Sequence, residues 1–205
     1  MARRARTADG DRGAHGGIRP APSRSARWHR ADRPAHAGSA LLVTPATLPL
    51  HTDSPEETER LGAALGTVLR PGDVLVLEGP LGAGKTCLVR GLVAGAGGDQ
   101  AAVRSPTFVL HQPHQAAGLT VHHIDLYRLG PGASIEVLDL DTLLLDGAVV
   151  IEWGGYADLS GFDVSTVSIA GGDHGDNRRV LRFEQPAAAR LVEAWASLSR
   201  AAAAP

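Results

Sequence analysis

Residues 79–86 read Gly79-Pro80-Leu81-Gly82-Ala83-Gly84-Lys85-Thr86. This fits G-x-x-x-x-G-K-[ST], a spacing in which glycines let successive backbone N–H groups turn inward onto phosphate oxygens. A lysine there reaches the β- and γ-phosphates, and the following hydroxyl ligates Mg²⁺. Lys85 is the only lysine in the chain; the other 19 basic residues are arginine. A planar guanidinium cannot serve as a compact point charge in a phosphate cradle. The side chain of Lys85 is expected to pack against nothing and to stand free for phosphate. With no second lysine there is no Asn-Lys-x-Asp guanine reader, so guanine specificity by that route is excluded.

Phosphate chemistry of this kind also needs an acid at a strand end to hold or polarise the Mg²⁺ shell. Asp125 closes the run Val121–Ile124, and Glu152 closes the cleaner apolar run Ala148–Ile151. Asp146 has an apolar approach too, but Gly147 follows it, which makes it a turn residue. Asp125 and Glu152 both stay as site candidates; a structural acid paired with Arg128 is the alternative for each. Arg104-Ser105-Pro106-Thr107 falls after the loop's helix, where a γ-phosphate sensor is placed, although Ser-Pro-Thr is also an ordinary turn. His111-x-x-His114 with His122 and His123 could suggest zinc. With Cys87 the only cysteine, no multi-thiolate set accompanies them, and a metal role is not expected.

These groups need a scaffold, and its elements can be read from hydrophobic spacing. Val74–Leu77 is a continuous apolar run, as in a strand buried on both faces. Thr86 to Ala96 reads as a helix with Leu88, Val89, Leu92 and Val93 apolar, stopped by Gly95, Gly97 and Gly98. Upstream, Ser54-Pro55-Glu56-Glu57 is a capping box that opens a helix carrying Leu61, Leu65, Val68 and Leu69 on one face. Leu41–Val43 or Leu48–Leu50 supplies an edge strand before it. Phe108–His111 and Leu119–Ile124 are expected strands with Gln112–Gly118 as their turn. Ser134–Leu145 is expected to be helical, and Ala148–Ile151 is a further strand. Val164–Ala170 and Arg179–Phe183 flank a Gly/Asp-rich hairpin turn. Pro186–Arg200 reads as a closing helix through Leu191, Val192, Trp195 and Leu198. Strands alternating with helices, then a hairpin, imply an α/β layered fold with a mixed sheet.

Length and charge set the outer bounds. The chain has 205 residues, enough for one domain and a remainder. Residues 1–40 hold nine arginines against three acids, with no hydrophobic period; the rest carries 11 basic and 19 acidic groups. The expected organisation is a disordered Arg-rich tail over 1–40, a nucleotide-binding domain over 41–186, and a closing helix and tail over 187–205. The tail reads as inert, as an RNA-binding arm or as an organelle transit peptide. Its prolines argue against the helix that a mitochondrial presequence prefers. An acidic body is not a general nucleic-acid binder by charge. No apolar run approaches the ~18 residues of a membrane span, and no secretory signal is expected.

Beyond the loop, an ordered set of blocks carries a resemblance. Leu81–Thr86 is followed by Arg90-Gly91, Ser105-Pro106-Thr107-Phe108, His123-Ile124-Asp125-Leu126-Tyr127-Arg128-Leu129 and Ile151-Glu152-Trp153. In that order and spacing, over roughly residues 50–184, the chain resembles the bacterial tRNA threonylcarbamoyladenosine biosynthesis family TsaE, the YjeE-type ATPases. The resemblance implies a P-loop NTPase-like layered fold with a mixed β-sheet flanked by helices and a C-terminal β-hairpin. It implies a cytoplasmic ATPase, monomeric when free and not membrane-bound. Its ligands would be ATP and Mg²⁺, and its partner the TsaD–TsaB complex. That complex makes N6-threonylcarbamoyladenosine at position 37 of tRNAs reading codons that start with A, and tRNA would be met only through it. By position, Thr86 and Glu152 match the family's Mg²⁺ ligands, and Lys85, Asp125 and Glu152 its catalytic set. Leu81, Gly82, Ala83, Gly84, Lys85, Thr86, Cys87, Ser105, Thr107 and Trp153 match its nucleotide-binding positions. The family usually has Asp where Pro80 stands and Thr where Cys87 stands; Cys87 is expected to be a small packing residue. Trp153 is either core packing or a nucleotide or partner contact.

Two other functions fit a loop of this type. A small-molecule kinase is the runner-up, although such kinases carry an arginine-rich lid and only Arg128 offers itself between Asp125 and the hairpin. A nucleotide-dependent scaffold, in which hydrolysis is incidental, is the third.

Overall fold

The computed structural model describes residues 48–171, 176–185 and 188–202. The expected tail over 1–40 and the candidate strand Leu41–Val43 lie outside them. Seven strands form one sheet: β1 (Leu50–Thr52), β2 (Val74–Glu78), β3 (His111–Gln115), β4 (Thr120–Asp125), β5 (Gly147–Glu152), β6 (Val164–Ala170) and β7 (Arg179–Gln185). Four helices accompany them: α1 (Pro55–Gly66), α2 (Lys85–Gly95), the short α3 (Leu140–Leu143) and α4 (Ala189–Ala202). The strand order is β1-β7-β6-β2-β5-β4-β3. The inner strands β6, β2, β5 and β4 are parallel, while β7, β1 and β3 complete the edges through antiparallel pairs. The mixed sheet with flanking helices is the α/β architecture that the sequence pattern implies and the P-loop NTPase-like fold that the resemblance implies, with β6 and β7 as the C-terminal antiparallel pair.

β2 and β5 sit mid-sheet, buried on both faces, which explains their unbroken apolar runs. Alternation sends Leu75, Leu77, Ala148 and Val150 into a core with α1, α2 and α4, and Val74, Val76, Val149 and Ile151 into a second core on the other face. α4 seals the first core with Trp195, fully buried against Phe183 at 5.4 Å between ring centroids. Truncating a buried aromatic of this kind to alanine costs about 3–5 kcal/mol.

The helix that follows the loop is braced by an unusually close neighbour. A Cβ on Gly62 would lie 2.4 Å from the Leu88 carbonyl oxygen, and one on Gly95 would lie 1.9 Å from that of Ala63. α1 and α2 therefore meet backbone to backbone, and any side chain at these positions would push them apart. The capping box at the start of α1 forms in a shifted version. Ser54 Oγ accepts from the Glu57 N–H at 3.2 Å, while Glu57 reaches past the cap to the Asp53 N–H at 2.8 Å. α1 ends at Gly66, short of Val68 and Leu69, which continue in tight turns bonded to Leu65 and Gly66; Leu69 still reaches the core.

Two expectations fail. Phe108–His111 is not a strand. The Pro106 carbonyl accepts the N–H groups of both Val109 and Leu110, Leu110 takes a φ of 68°, and Phe108 is 85% exposed. The strand begins at His111 and uses Gln112–Gln115, the residues expected to turn; the turn is made by 116–119 instead. Pro113 is tolerated there because β3 is an edge strand. Ser134–Leu145 is not one helix either. Asp139, at φ 43° and ψ 61°, separates a 3₁₀ turn at Glu136–Leu138 from α3. Its carboxylate accepts from Thr142 Oγ1 at 2.7 Å, a local bond that competes with helix continuation.

Candidate functional site

The loop between β2 and α2 crosses the carboxyl ends of the parallel strands, where open α/β sheets place their ligand crevice. Gly79 sits at φ 146° with no room for a Cβ, which would lie 2.4 Å from the Ile169 carbonyl oxygen. Gly84, at φ 103°, opens α2 with no side-chain cap. The first N–H groups of α2 are thus left to an external acceptor, and the partial positive charge of the helix end favours an anion there.

A cleft of about 280 Å³ lies against this loop. It gathers Leu81, Gly82, Ala83, Gly84, Lys85 and Thr86 with Ser105, Thr107, Asp125, Glu152 and Trp153. Every sequence-nominated site residue lines it except Cys87. The Cys87 thiol faces α1 instead, 3.1 Å from the Pro55 carbonyl oxygen, and burial pushes its pKa up to about 11. Tyr127, which the sequence places in the Asp125 block without a site role, also lines the cleft.

Lys85 does not stand free as expected. It is 4% exposed, its Nζ donates to the carbonyls of Gly79 at 2.7 Å and Pro80 at 3.0 Å, and it lies 3.9 Å from the centroid of the Trp153 ring. Burial holds its pKa below the usual lysine range, against the nearby Glu152, Asp125 and Glu78 carboxylates that raise it. Trp153 adopts a φ of 62°, uncommon for an aromatic, and stacks between Tyr127 and Tyr156 at 5.1 and 5.5 Å. It is therefore part of the site wall as well as of the packing.

The two acids are both buried and differently engaged. Glu152 Oε1 accepts from Thr86 Oγ1 at 2.7 Å and pairs with His123 Nε2 at 2.9 Å. Asp125 Oδ2 accepts from Ser105 Oγ at 3.0 Å and from Thr107 Oγ1, and its Oδ1 accepts the Tyr127 N–H at 2.9 Å. Arg128 pairs with neither; it lies over the Phe108 ring at 4.9 Å. Asp146 is exposed at a turn, 3.9 Å from His122 Nε2.

Two further contributors meet partners far along the chain, contacts that no local pattern shows. Arg179 on β7 donates from Nε to the Ala83 carbonyl at 2.9 Å and from Nη2 to that of Gly82 at 3.4 Å, tying the loop to the hairpin. His123 reaches Glu152 across two strands. The four histidines form two facing pairs, His111 with His122 and His114 with His123, on β3 and β4. Among the described residues no group of three or more His, Cys, Asp or Glu side chains is arranged to hold a metal.

The oxygen donors Thr86 and Glu152 suit a hard divalent cation such as Mg²⁺, and the uncapped helix end with Lys85 suits a polyphosphate. A larger cleft of about 780 Å³ lies between Glu78, Gly155, Phe162 and Glu184. Its ionisable lining is Glu78, Asp163 and Glu184, with no cation, so it repels phosphate.

The family model for threonylcarbamoyl adenosine biosynthesis protein TsaE matches residues 52–180. A Streptomyces coelicolor protein named tRNA threonylcarbamoyladenosine biosynthesis protein TsaE is 48% identical over 97 residues, 46% of this chain and 65% of that protein. Its Mycobacterium bovis namesake is 46% identical over 108 residues, 48% of this chain and 64% of that protein. The chain thus spans a little under two thirds of the length of these curated relatives. The crystal structure of YdiB from Bacillus subtilis superposes with a TM-score of 0.56 at 26% identity, covering 75% of this chain and 95% of that one. Among the described residues no helix is long and apolar enough to cross a membrane.

Proposed function

The chain belongs to the TsaE family, and on that premise we propose that it is an ATP-hydrolysing subunit of the machinery that makes N6-threonylcarbamoyladenosine at position 37 of tRNAs. The tRNAs are those reading codons that start with A. It acts with a TsaD–TsaB complex and meets tRNA only through that complex. It works in the cytoplasm, away from the membrane, and is a monomer when free. The observation that carries the reading is the 2.7 Å bond between Thr86 Oγ1 and Glu152 Oε1, at the foot of an uncapped helix beside a buried lysine.

In this reading the loop amides and Lys85 bind the phosphates of ATP. Lys85 exchanges its carbonyl partners Gly79 and Pro80 for phosphate oxygens. Thr86 and Glu152 would hold Mg²⁺, which when bound neutralises charge on the β- and γ-phosphate oxygens. Asp125 holds Ser105 and Thr107 at the cleft and either orients the attacking water or relays the loss of the γ-phosphate to that segment. Tyr127 and Trp153 wall the cleft and limit water.

The test is reconstitution. The purified chain is mixed with a TsaD–TsaB pair, tRNA and the small substrates of the modification, with ATP or ADP. Repeated rounds of modified tRNA are expected with ATP and the chain together. Modification that proceeds equally without the chain would overturn the reading, and phosphate appearing on a small acceptor would favour a kinase.

A further inference from the structure

We propose that His123 is a positioning residue for Glu152, its Nε2–H fixing the carboxylate beside Thr86 so that the acid meets a divalent cation already aimed. The inference rests on the reading of Glu152 as a cation ligand. In the β4–β5 register the Cα partner of His123 is Val150, and that of Asp125 is Glu152. His123 therefore lies two residues before Asp125 on the same sheet face and reaches Glu152 diagonally, a spacing that long side chains span.

His123 is 0% exposed, and its Nε2 lies 2.9 Å from Glu152 Oε1. An ionised carboxylate only accepts, so the ring nitrogen must donate. Thr86 Oγ1 meets the same oxygen from the first turn of α2. Two groups, one on the loop helix and one on the sheet, thus meet on this single oxygen and hold the carboxylate between them. The other ring nitrogen, Nδ1, is buried without a hydrogen-bond partner. A bare lone pair is tolerable there, whereas an N–H with no acceptor would carry the full desolvation penalty. Both ring atoms thus demand the same species, a neutral ring protonated on Nε2. Among His114, His122 and His123, each with one buried ring nitrogen lacking a partner, His123 is the one whose other nitrogen meets a site acid. Partners that orient a ligating carboxylate govern metal affinity even though they touch no metal.

The test uses the full chain. ADP binding is measured by calorimetry across a Mg²⁺ titration for wild type, His123→Leu and His123→Gln. Leucine keeps the bulk and removes the donor; glutamine places an amide N–H near the position of Nε2. The expected result is unchanged Mg²⁺-free ADP affinity in all three. The Mg²⁺ requirement should rise about tenfold or more in His123→Leu and return towards wild type in His123→Gln. A wild-type Mg²⁺ dependence in folded His123→Leu, or no recovery in His123→Gln, would overturn the proposal. Nitrogen-15 NMR of the wild-type His123 ring provides a readout that needs no variant: Nε2 should be protonated and Nδ1 bare, and the opposite tautomer refutes it. If wild type itself binds no Mg·ADP, the functional reading fails, and the tautomer still decides the hydrogen bond.

Discussion

Asp125 and Glu152 are Cα partners at the carboxyl ends of two adjacent parallel strands, yet they serve different neighbours. Glu152 is bonded to the loop helix through Thr86, and Asp125 to the Ser105–Thr107 segment. This division predicts separable losses. Glu152→Gln keeps the shape but removes the charge facing Thr86, so Mg²⁺-dependent nucleotide binding should weaken and hydrolysis should fail. Asp125→Asn should lower hydrolysis with Mg·ADP binding close to wild type, because a group that orients water or the neighbouring segment acts mostly on the transition state. Calorimetric Mg²⁺ titrations of both variants decide it, and loss of the Mg²⁺ dependence in Asp125→Asn alone would reverse the assignment.

Lys85 is buried and bonded to two loop carbonyls, so its removal has a structural as well as an electrostatic side. Lys85→Met keeps an unbranched apolar side chain and deletes the ammonium together with its bonds to the Gly79 and Pro80 carbonyls. Charge-assisted contacts are worth roughly 1.5–3 kcal/mol, so ATP affinity should fall about tenfold or more, with a modest drop in melting temperature from the two lost carbonyl bonds. Trp153 lies 3.9 Å from the ammonium, and its fluorescence should change on ATP binding in wild type and respond far less in the variant. ATP affinity equal to wild type by calorimetry would remove Lys85 from the site.

What the sequence shows well is what neighbours in the chain decide. The phosphate loop, its strand and its helix lie within residues 74–95, Glu152 ends an apolar run and Asp125 ends a strand-like one that includes two histidines. The misreadings arise where one residue's backbone overrides the pattern. Leu110 and Asp139, both at positive φ, break runs that hydrophobic spacing would make continuous: Leu110 delays β3 to His111, and Asp139 splits Ser134–Leu145. Arg179 shows no sign of a site role in the sequence, and His123, though it opens the Asp125 block, shows no sign of its partner: the partners lie 96 and 29 positions away, and only the sheet order brings them together. Gly62 with Gly66 on α1, and Gly91 with Gly95 on α2, are small residues one helical turn apart. That they let α1 touch the backbone of α2 is a fact of packing that no single-helix pattern contains.

Burial lowers the pKa of His111, His114 and His122 from the ordinary 6.5, with His122 and His123 adding to the effect at His111, and Asp146 opposing it at His122. A histidine that binds its proton less well folded than unfolded contributes stability that is fully present above the unfolded pKa. That stability is lost as pH falls through 6.5 towards the lower folded value. Melting temperature should therefore drop between about pH 7.5 and pH 5.5. His114→Gln, which cannot titrate, should flatten part of that slope. A melting temperature independent of pH over this range would show that the pairs on β3 and β4 stay neutral or find new partners on protonation.

Arg179 is the bolt between the phosphate loop and the hairpin. Its Nε and Nη2 hold the Ala83 and Gly82 carbonyls, while Nη1 holds those of Asp176 at 2.8 Å and Arg178 at 2.9 Å. The loop closes on its other side through the Ala83 N–H, which donates to the Pro80 carbonyl at 3.1 Å. Arg179→Met removes four donor contacts and frees the loop to rotate its peptides. At roughly 1.5–3 kcal/mol for hydrogen bonds to a charged group, offset by solvent at an exposed edge, nucleotide affinity should fall about tenfold. Arg179→Lys should recover little, because one ammonium cannot span the fork of carbonyls that a guanidinium bridges. The distinguishing measurement is hydrogen exchange of the amides at residues 82–85 without nucleotide. Exchange should accelerate in Arg179→Met while the α1–α2 amides keep wild-type protection. If nucleotide affinity falls but loop exchange does not change, Arg179 acts by contacting the nucleotide and not by holding the loop.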